Sequence, residues 1–220
     1  MLIHKEKKAV VLRLKNPSRV TTVIPTAIEV DHKGQRLVAV PHRPDETRVL
    51  RNLGFEIPDP MPMHYAFPKV SGKHEPFAAQ RETASFLSMH SRAFCLNGMG
   101  TGKTNSALWA YDYMRRTKIV NRVLIVCPLS TMERTWADSV FNTFPHLDAV
   151  VLHGTRDKRL KLLKEDVHIY IINIDGLTTI KDELAKRPDI DLIVVDELAL
   201  ARNSSTERWK TLNTICNRQS

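Results

Sequence analysis

The chain has 220 residues, with 33 Lys and Arg against 24 Asp and Glu, a formal net charge of +9. Hydrophobic residues make up 42% and charged residues 26%, the balance of a globular chain, which excludes a disordered polyelectrolyte. No apolar run approaches the roughly 20 residues that span a bilayer, and charges interrupt the N-terminal MLIHKEKKAVVLRLK, so neither a membrane helix nor a secretory signal is expected. Cys95, Cys127 and Cys216 are far apart and form no CxxC pair, which argues against a disulfide framework or a zinc site and for a reducing, cytoplasmic setting. Cys95 and Cys127 lie in apolar runs and read as core thiols. The basic surplus suits a polyanionic partner.

Along the chain, β-branched runs at 9–14, 20–24 and 35–40 are separated by Asn16-Pro17, Pro25 and the turn Asp31–Gly34. They predict a small antiparallel sheet. A short helix is expected over 45–53, ended by Gly54. Pro58, Pro60, Pro62 and Pro68 then predict an extended linker. From residue 76 the pattern alternates. A helix starting near Pro76, with Phe77, Ala84 and Leu87 at helical spacing, leads to a buried strand at 92–96, a loop and a second helix. Apolar runs at 122–127, 148–152, 168–172 and 191–195 predict four more strands, with a helix from Pro128 to about Phe144 and a last one over 205–217. The expected fold is therefore α/β, a doubly wound parallel sheet preceded by a small, mainly β domain. The expected division is a β-rich accessory domain at 1–58, a Pro-rich linker at 59–75 and an α/β lobe at 76–220.

The strongest local signal is Asn97-Gly98-Met99-Gly100-Thr101-Gly102-Lys103-Thr104, a phosphate loop between a predicted strand and a predicted helix. Glycines let successive N–H groups point at phosphate oxygens, and the N-terminus of the next helix adds partial positive charge. Lys103 is expected on the β- and γ-phosphates of ATP and the Thr104 hydroxyl on Mg²⁺. Asn97 stands where the usual pattern has its first glycine. Asp196-Glu197 follows LIVV at 192–195, a carboxylate pair at a strand end, where parallel sheets bind ligands. Asp196 is expected to hold Mg²⁺, and Glu197 to orient or deprotonate the attacking water.

In order and spacing, these segments resemble superfamily 2 helicases, and within them the Swi/Snf-type DNA translocases, over roughly residues 76–215. Phe77-Ala78-Ala79-Gln80 resembles the adenine-reading glutamine motif, since a carboxamide can pair with both N6 and N7 of adenine. Val126-Cys127-Pro128-Leu129-Ser130, followed by Trp136, resembles the family's next motif, which implies strand contacts through Ser130 and Thr131. Phe144-Pro145 and His153-Gly154 fall where relatives carry similar residues. Ile172-Asn173-Ile174-Asp175-Gly176-Leu177 resembles a further strand-contacting segment, which implies roles for Asn173 and Asp175. Arg202-Asn203-Ser204 matches the basic segment trailing the acidic motif, whereas Ala199 departs from the His or Asp frequent there.

The resemblance implies a RecA-like fold, ATP and Mg²⁺ as ligands, DNA rather than RNA as partner, and a second RecA-like lobe that is not in this sequence. It also implies that the isolated chain turns over ATP very slowly, because arginines from the second lobe stabilise the transferring phosphoryl group. The style is similar to phage-encoded members. Two further readings stay open on the residues alone: a non-catalytic nucleotide- or DNA-binding module, and another phosphate-loop enzyme such as a small-molecule kinase. Lys5, Lys7, Lys8, Arg13, Lys15 and Arg19 form either a backbone-tracking surface or a solvated face.

Overall fold

The computed structural model describes residues 1–32, 34–198 and 203–217. The chain divides into two compact units, Met1–Ala66 with Phe77–Thr101, and Phe67–Pro76 with Gly102–Ser220.

The first unit holds a four-stranded antiparallel sheet of β1 (Leu2–His4), β2 (Ala9–Arg13), β3 (Ile28–His32) and β4 (Gln35–Pro41), in the order β1-β2-β4-β3. Alternation turns Val10, Leu12, Val38 and Val40 onto one face, where they pack with Val20, Ile24, Leu50 and Ile57. The run at 20–24 is not a strand. Residues Ser18–Thr21 form a helical turn, α1, because Val20 and Ile24, one turn apart, meet that core together. The helix α2 (Pro44–Asn52) ends as expected at Gly54, whose φ is +90°. Gly54 N–H donates to Arg51 O and Phe55 N–H to Leu50 O, a paired closure that needs a left-handed residue.

The Pro-rich stretch is not an extended spacer where it leaves this sheet. Met61–His64 forms a helical turn, α3, and Ile57 and Met61 are buried. Arg51 grips Ile57 O at 2.6 and 2.8 Å and Asp59 at 2.8 Å. His42 Nε2–H donates to Pro58 O at 2.9 Å, and because a carbonyl only accepts, His42 Nδ1 must accept from His64 Nε2–H at 2.8 Å. Helix α4 (Ala78–Met89) buries Ala84, Ser85, Ser88 and Met89, and Ser85 Oγ donates to Asp59 at 2.7 Å.

The second unit holds a parallel sheet of β5 (Arg122–Cys127), β6 (Ala149–Val151), β7 (Ile169–Asn173) and β8 (Ile190–Val195), ordered β6-β7-β5-β8. Its helices are α5 (Lys103–Arg116), α6 (Asp138–Thr143), α7 (Arg156–Leu163), α8 (Ile174–Thr179), α9 (Lys181–Ala185) and α10 (Glu207–Cys216). Leu124, Val126, Tyr170 and Ile172 pack on one face against Leu163, Leu177, Ile180, Leu184, Leu212 and Ile215. Val123, Ile125, Cys127, Ile169 and Ile171 turn to the other face and are also buried. Runs apolar on both faces are what a parallel sheet covered on both sides requires.

Two expectations fail here. Residues 92–96 form no strand among the described residues; Phe94 is 73% and Leu96 91% exposed, and Cys95 is only partly buried. The segment after Pro128 is not one α-helix either. It is a 3₁₀ turn over Leu129–Thr131, a π-helix over Met132–Ala137, then α6. A π turn is rare, and it survives here because Met132 and Trp136 are both buried against the sheet.

Candidate nucleotide site

The phosphate loop folds on itself before it enters α5. The Thr101 hydroxyl donates to Gly98 O at 2.9 Å. Gly100 and Gly102 have φ of +72° and +80°, left-handed values that disfavour any side chain, and no atom lies within 4 Å of where a Gly100 Cβ would be. Gly98 is not left-handed and would meet only ordinary contact. Met99 is fully exposed at the tip.

In the first unit, Asn97 Nδ2 donates to Thr83 Oγ1 at 2.8 Å and Gln80 Nε2 donates to Thr101 O at 3.1 Å. Gln80 Oε1 accepts the Phe77 N–H at 3.0 Å, closing the start of α4. The carboxamide expected to read adenine is thus bonded within the chain at both ends, and the Phe77 ring is 74% exposed.

In the second unit, Gly102 is the N-cap of α5 and provides no side-chain cap, so the first-turn N–H groups of this 14-residue helix present partial positive charge. Lys103 and Thr104 are its first two residues, both half-buried. The other end of α5 is fixed. Tyr111 donates to Asn121 O (3.1 Å) and His168 O (2.8 Å), the residues that lead into β5 and β7. Going back eight residues from Tyr111 at about 1.5 Å each puts Lys103 about 12 Å along the helix from that anchored end. Asp196 and Glu197 directly follow the C-terminal end of β8.

Asp196 N–H donates to Val126 O at 2.8 Å, continuing the ladder one residue past β8. Its Oδ2 accepts the Trp136 indole N–H at 3.1 Å, while Oδ1 carries no hydrogen bond among the described residues. Glu197 is exposed and has a φ of +56°, a left-handed turn that carries the chain off the strand. Beside them burial pushes the Cys127 thiol up to about 11, with Thr131 opposing and the charges of Asp196 and Glu197 adding. Cys127 is an inert core thiol. Ala199 and Arg202 lie outside the described residues.

The expected strand-contacting residues are not alike. Ser130 is exposed; Thr131 spends its hydroxyl on Pro128 O at 3.0 Å. Asp175 is held bidentate by Arg208 at 2.8 and 3.1 Å. Asn173 is buried, and its Oδ1 lacks a hydrogen-bond partner among the described residues. The most shifted carboxylate, Asp189, is held down to about 2 by Arg187, but it precedes β8 at the opposite end of the sheet and clasps Arg122, a structural role. Two arrangements carry no signal in the sequence. One is the Trp136–Asp196 bond. The other is Arg159, buried without a carboxylate partner among the described residues, which donates to Leu152 O and Gly154 O.

The SNF2-related domain family matches residues 80–219. The chain belongs to that family. A relative from Drosophila melanogaster, a "SWI/SNF-related matrix-associated actin-dependent regulator of chromatin subfamily A containing DEAD/H box 1 homolog", is 26% identical over 127 residues, covering 53% of this chain and 15% of its own length. Among solved structures, the Sulfolobus solfataricus SWI2/SNF2 ATPase core in complex with dsDNA aligns with a TM-score of 0.56 at 22% identity, over 67% of this chain and 31% of that one. The Sulfolobus solfataricus SWI2/SNF2 ATPase core domain aligns at a TM-score of 0.49 and 24% identity, over 67% and 33%. The SNF2-related chain therefore spans a third or less of each of these relatives. The fold of the ATPase core in the dsDNA complex agrees with its four-stranded parallel sheet and flanking helices. Among the described residues no helix is long and apolar enough to cross a membrane.

Proposed function

We propose that this SNF2-related chain is the ATP-binding lobe of a DNA translocase or helicase that couples ATP hydrolysis to movement along DNA. The reading is supported chiefly by Gly102, a left-handed residue that opens the 14-residue α5 without a side-chain cap and is followed by Lys103-Thr104, together with a carboxylate, Asp196, directly after β8, where parallel sheets bind ligands. The donor chemistry suits a magnesium–triphosphate, since the Asp196 Oδ1 carries no hydrogen bond among the described residues and α5 starts without a side-chain cap.

In this reading Gly98–Gly102 and the α5 N–H groups wrap the phosphates and Lys103 neutralises the β- and γ-oxygens. Thr104 and Asp196 hold Mg²⁺, which when bound shields the charge on the phosphate oxygens. Glu197 orients the attacking water and takes its proton. Phe77 and Gln80 flank the base, which requires Gln80 to exchange one of its internal bonds. DNA is favoured over RNA by the family and by the dsDNA held in the Sulfolobus core complex, and the net charge of +9 suits either. Ser130 is the strand-contacting candidate best exposed for a phosphate, whereas Asp175 would first have to leave Arg208. A second lobe supplying arginines completes the motor in this reading, and the phage-like style adds nothing to it.

The test is titration of a non-hydrolysable ATP analogue with Mg²⁺ into this chain and into its Lys103→Ala variant. The variant is expected to bind at least about tenfold more weakly, as loss of a charge-assisted contact implies. Equal binding by both would remove the basis for the site.

A further inference from the structure

We infer that Trp136 is a positioning residue for the nucleotide site: its indole N–H fixes the Asp196 carboxylate so that Oδ1, and not Oδ2, is turned toward the metal. The inference rests on the nucleotide reading above and deepens it.

The hydrogen bond is 3.1 Å long and joins residues 60 positions apart. Trp136 is 2% exposed, and a buried indole N–H calls for an acceptor, which Asp196 provides. The donor is neutral and the acceptor a carboxylate, the stronger class of hydrogen bond. Asp196 is anchored a second time through its backbone, by Val126 O at 2.8 Å. Backbone and side chain together restrain the carboxylate, with one oxygen used and the other without a hydrogen bond among the described residues.

The local structure is organised around this contact. Trp136 sits in the π-helix Met132–Ala137, between a 3₁₀ turn and α6. That irregular turn is costly, and its two buried side chains are Met132 and Trp136. The π-helix follows directly on Pro128–Thr131, the segment whose Ser130 faces solvent. A ligand on that segment therefore has a short covalent path to the donor that orients Asp196. Groups that orient a metal-binding carboxylate typically change metal affinity by about 10–100-fold when removed.

Trp136→Phe keeps the ring and removes the donor. We expect the 220-residue variant to bind a non-hydrolysable ATP analogue about tenfold more weakly than the parent in Mg²⁺, and within about twofold of it in EDTA, because only the metal-dependent part of binding uses Asp196. Equal binding by variant and parent at every Mg²⁺ concentration overturns the inference, and so does an equal loss with and without Mg²⁺, which would mark a packing role only. Lys103→Ala separates the two readings: if it loses binding while Trp136→Phe does not, the nucleotide site stands and the positioning role falls. If Trp136→Phe fails to fold, the ¹⁵N-labelled chain with its three tryptophans decides. Asp196→Asn should shift one of the three indole N–H resonances, that of Trp136; three unmoved resonances overturn the inference.

Discussion

Gly176 lies in α8 with no left-handed backbone to explain it, and the reason for a glycine there is space. A Cβ at this position would stand 2.6 Å from Arg159 Cζ and 2.7 Å from Asn173 Oδ1, distances no real Cβ keeps. Arg159 cannot simply swing away, because it is 8% exposed and donates to Leu152 O and, at 2.9 Å, to Gly154 O. Gly176→Ala should therefore break both bonds, each worth about 1.5 kcal/mol or more because the donor is charged. Alanine returns about 0.5–1 kcal/mol in helix preference, leaving a net loss of about 2–3 kcal/mol. Moving Asn173 sacrifices no bond of its Oδ1, which has none among the described residues. For a chain of this size the loss corresponds to roughly 4–12 °C in Tm, read by thermal melting or urea unfolding. In an Arg159→Met background the obstacle is gone, and adding Gly176→Ala should cost less than half as much. A parent-like Tm for Gly176→Ala, or an undiminished loss in the Arg159→Met background, would refute the reasoning.

Two other predictions concern stability. Helix α5 closes like α2: Lys118 N–H donates to Arg115 O and Ile119 N–H to Met114 O, but with Lys118 at φ +60° where α2 uses Gly54. Lys118→Gly should raise unfolding free energy in urea by up to about 1 kcal/mol, since the left-handed cost of a side chain exceeds the entropy glycine loses. His42, His64 and His168 are all pulled below the ordinary imidazole value, chiefly by burial. For His42 and His64 the neighbouring charges of Arg51, Lys5 and Lys8 and the histidine pair itself add to this, and at His42 the hydrogen bond to Pro58 O and then the charge of Asp59 oppose it. A depressed folded value means that the unfolded chain takes up the proton first, so stability is full above about pH 6.5 and falls as pH drops below it. Urea unfolding between pH 7.5 and 5.5 should show the decline, and His64→Asn should lessen it; a flat profile would refute the burial of these rings.

What the sequence revealed was mostly what neighbours along the chain decide. The loop Gly98–Thr104, the Asp196-Glu197 strand end, the Gly54 closure and the four runs of the parallel sheet each carry their signal within a few residues. β3 was missed because every residue of Ile28–His32 is exposed, so no burial pattern marks it. The run at 20–24 was misread because its two core contacts, Val20 and Ile24, are four apart, a spacing that suits a helical turn as well as a strand. The Trp136–Asp196 bond and the fit of Gly176 under Arg159 were invisible because each joins residues far apart in sequence, and neither Trp nor Gly signals its partner.

The run at 92–96 is the most instructive failure. An apolar run expresses a demand for burial and not its fulfilment, and a parallel strand needs a ladder partner as well as cover. Phe94 and Leu96 have neither among the described residues, and Leu192–Val195 of β8, an edge of the four-stranded sheet, are only half-buried. The phosphate loop keeps its shape by other means. Gln80 holds Thr101 O, Thr101 holds Gly98 O, and Asn97 holds Thr83, while the two left-handed glycines make the turns. Asn97 is the residue that departs from the expected glycine. A glycine there would free the backbone but lose the amide that ties the start of the loop to α4. The departure therefore does at the loop entrance what a strand ladder would otherwise do, and it explains how the motif tolerates the change.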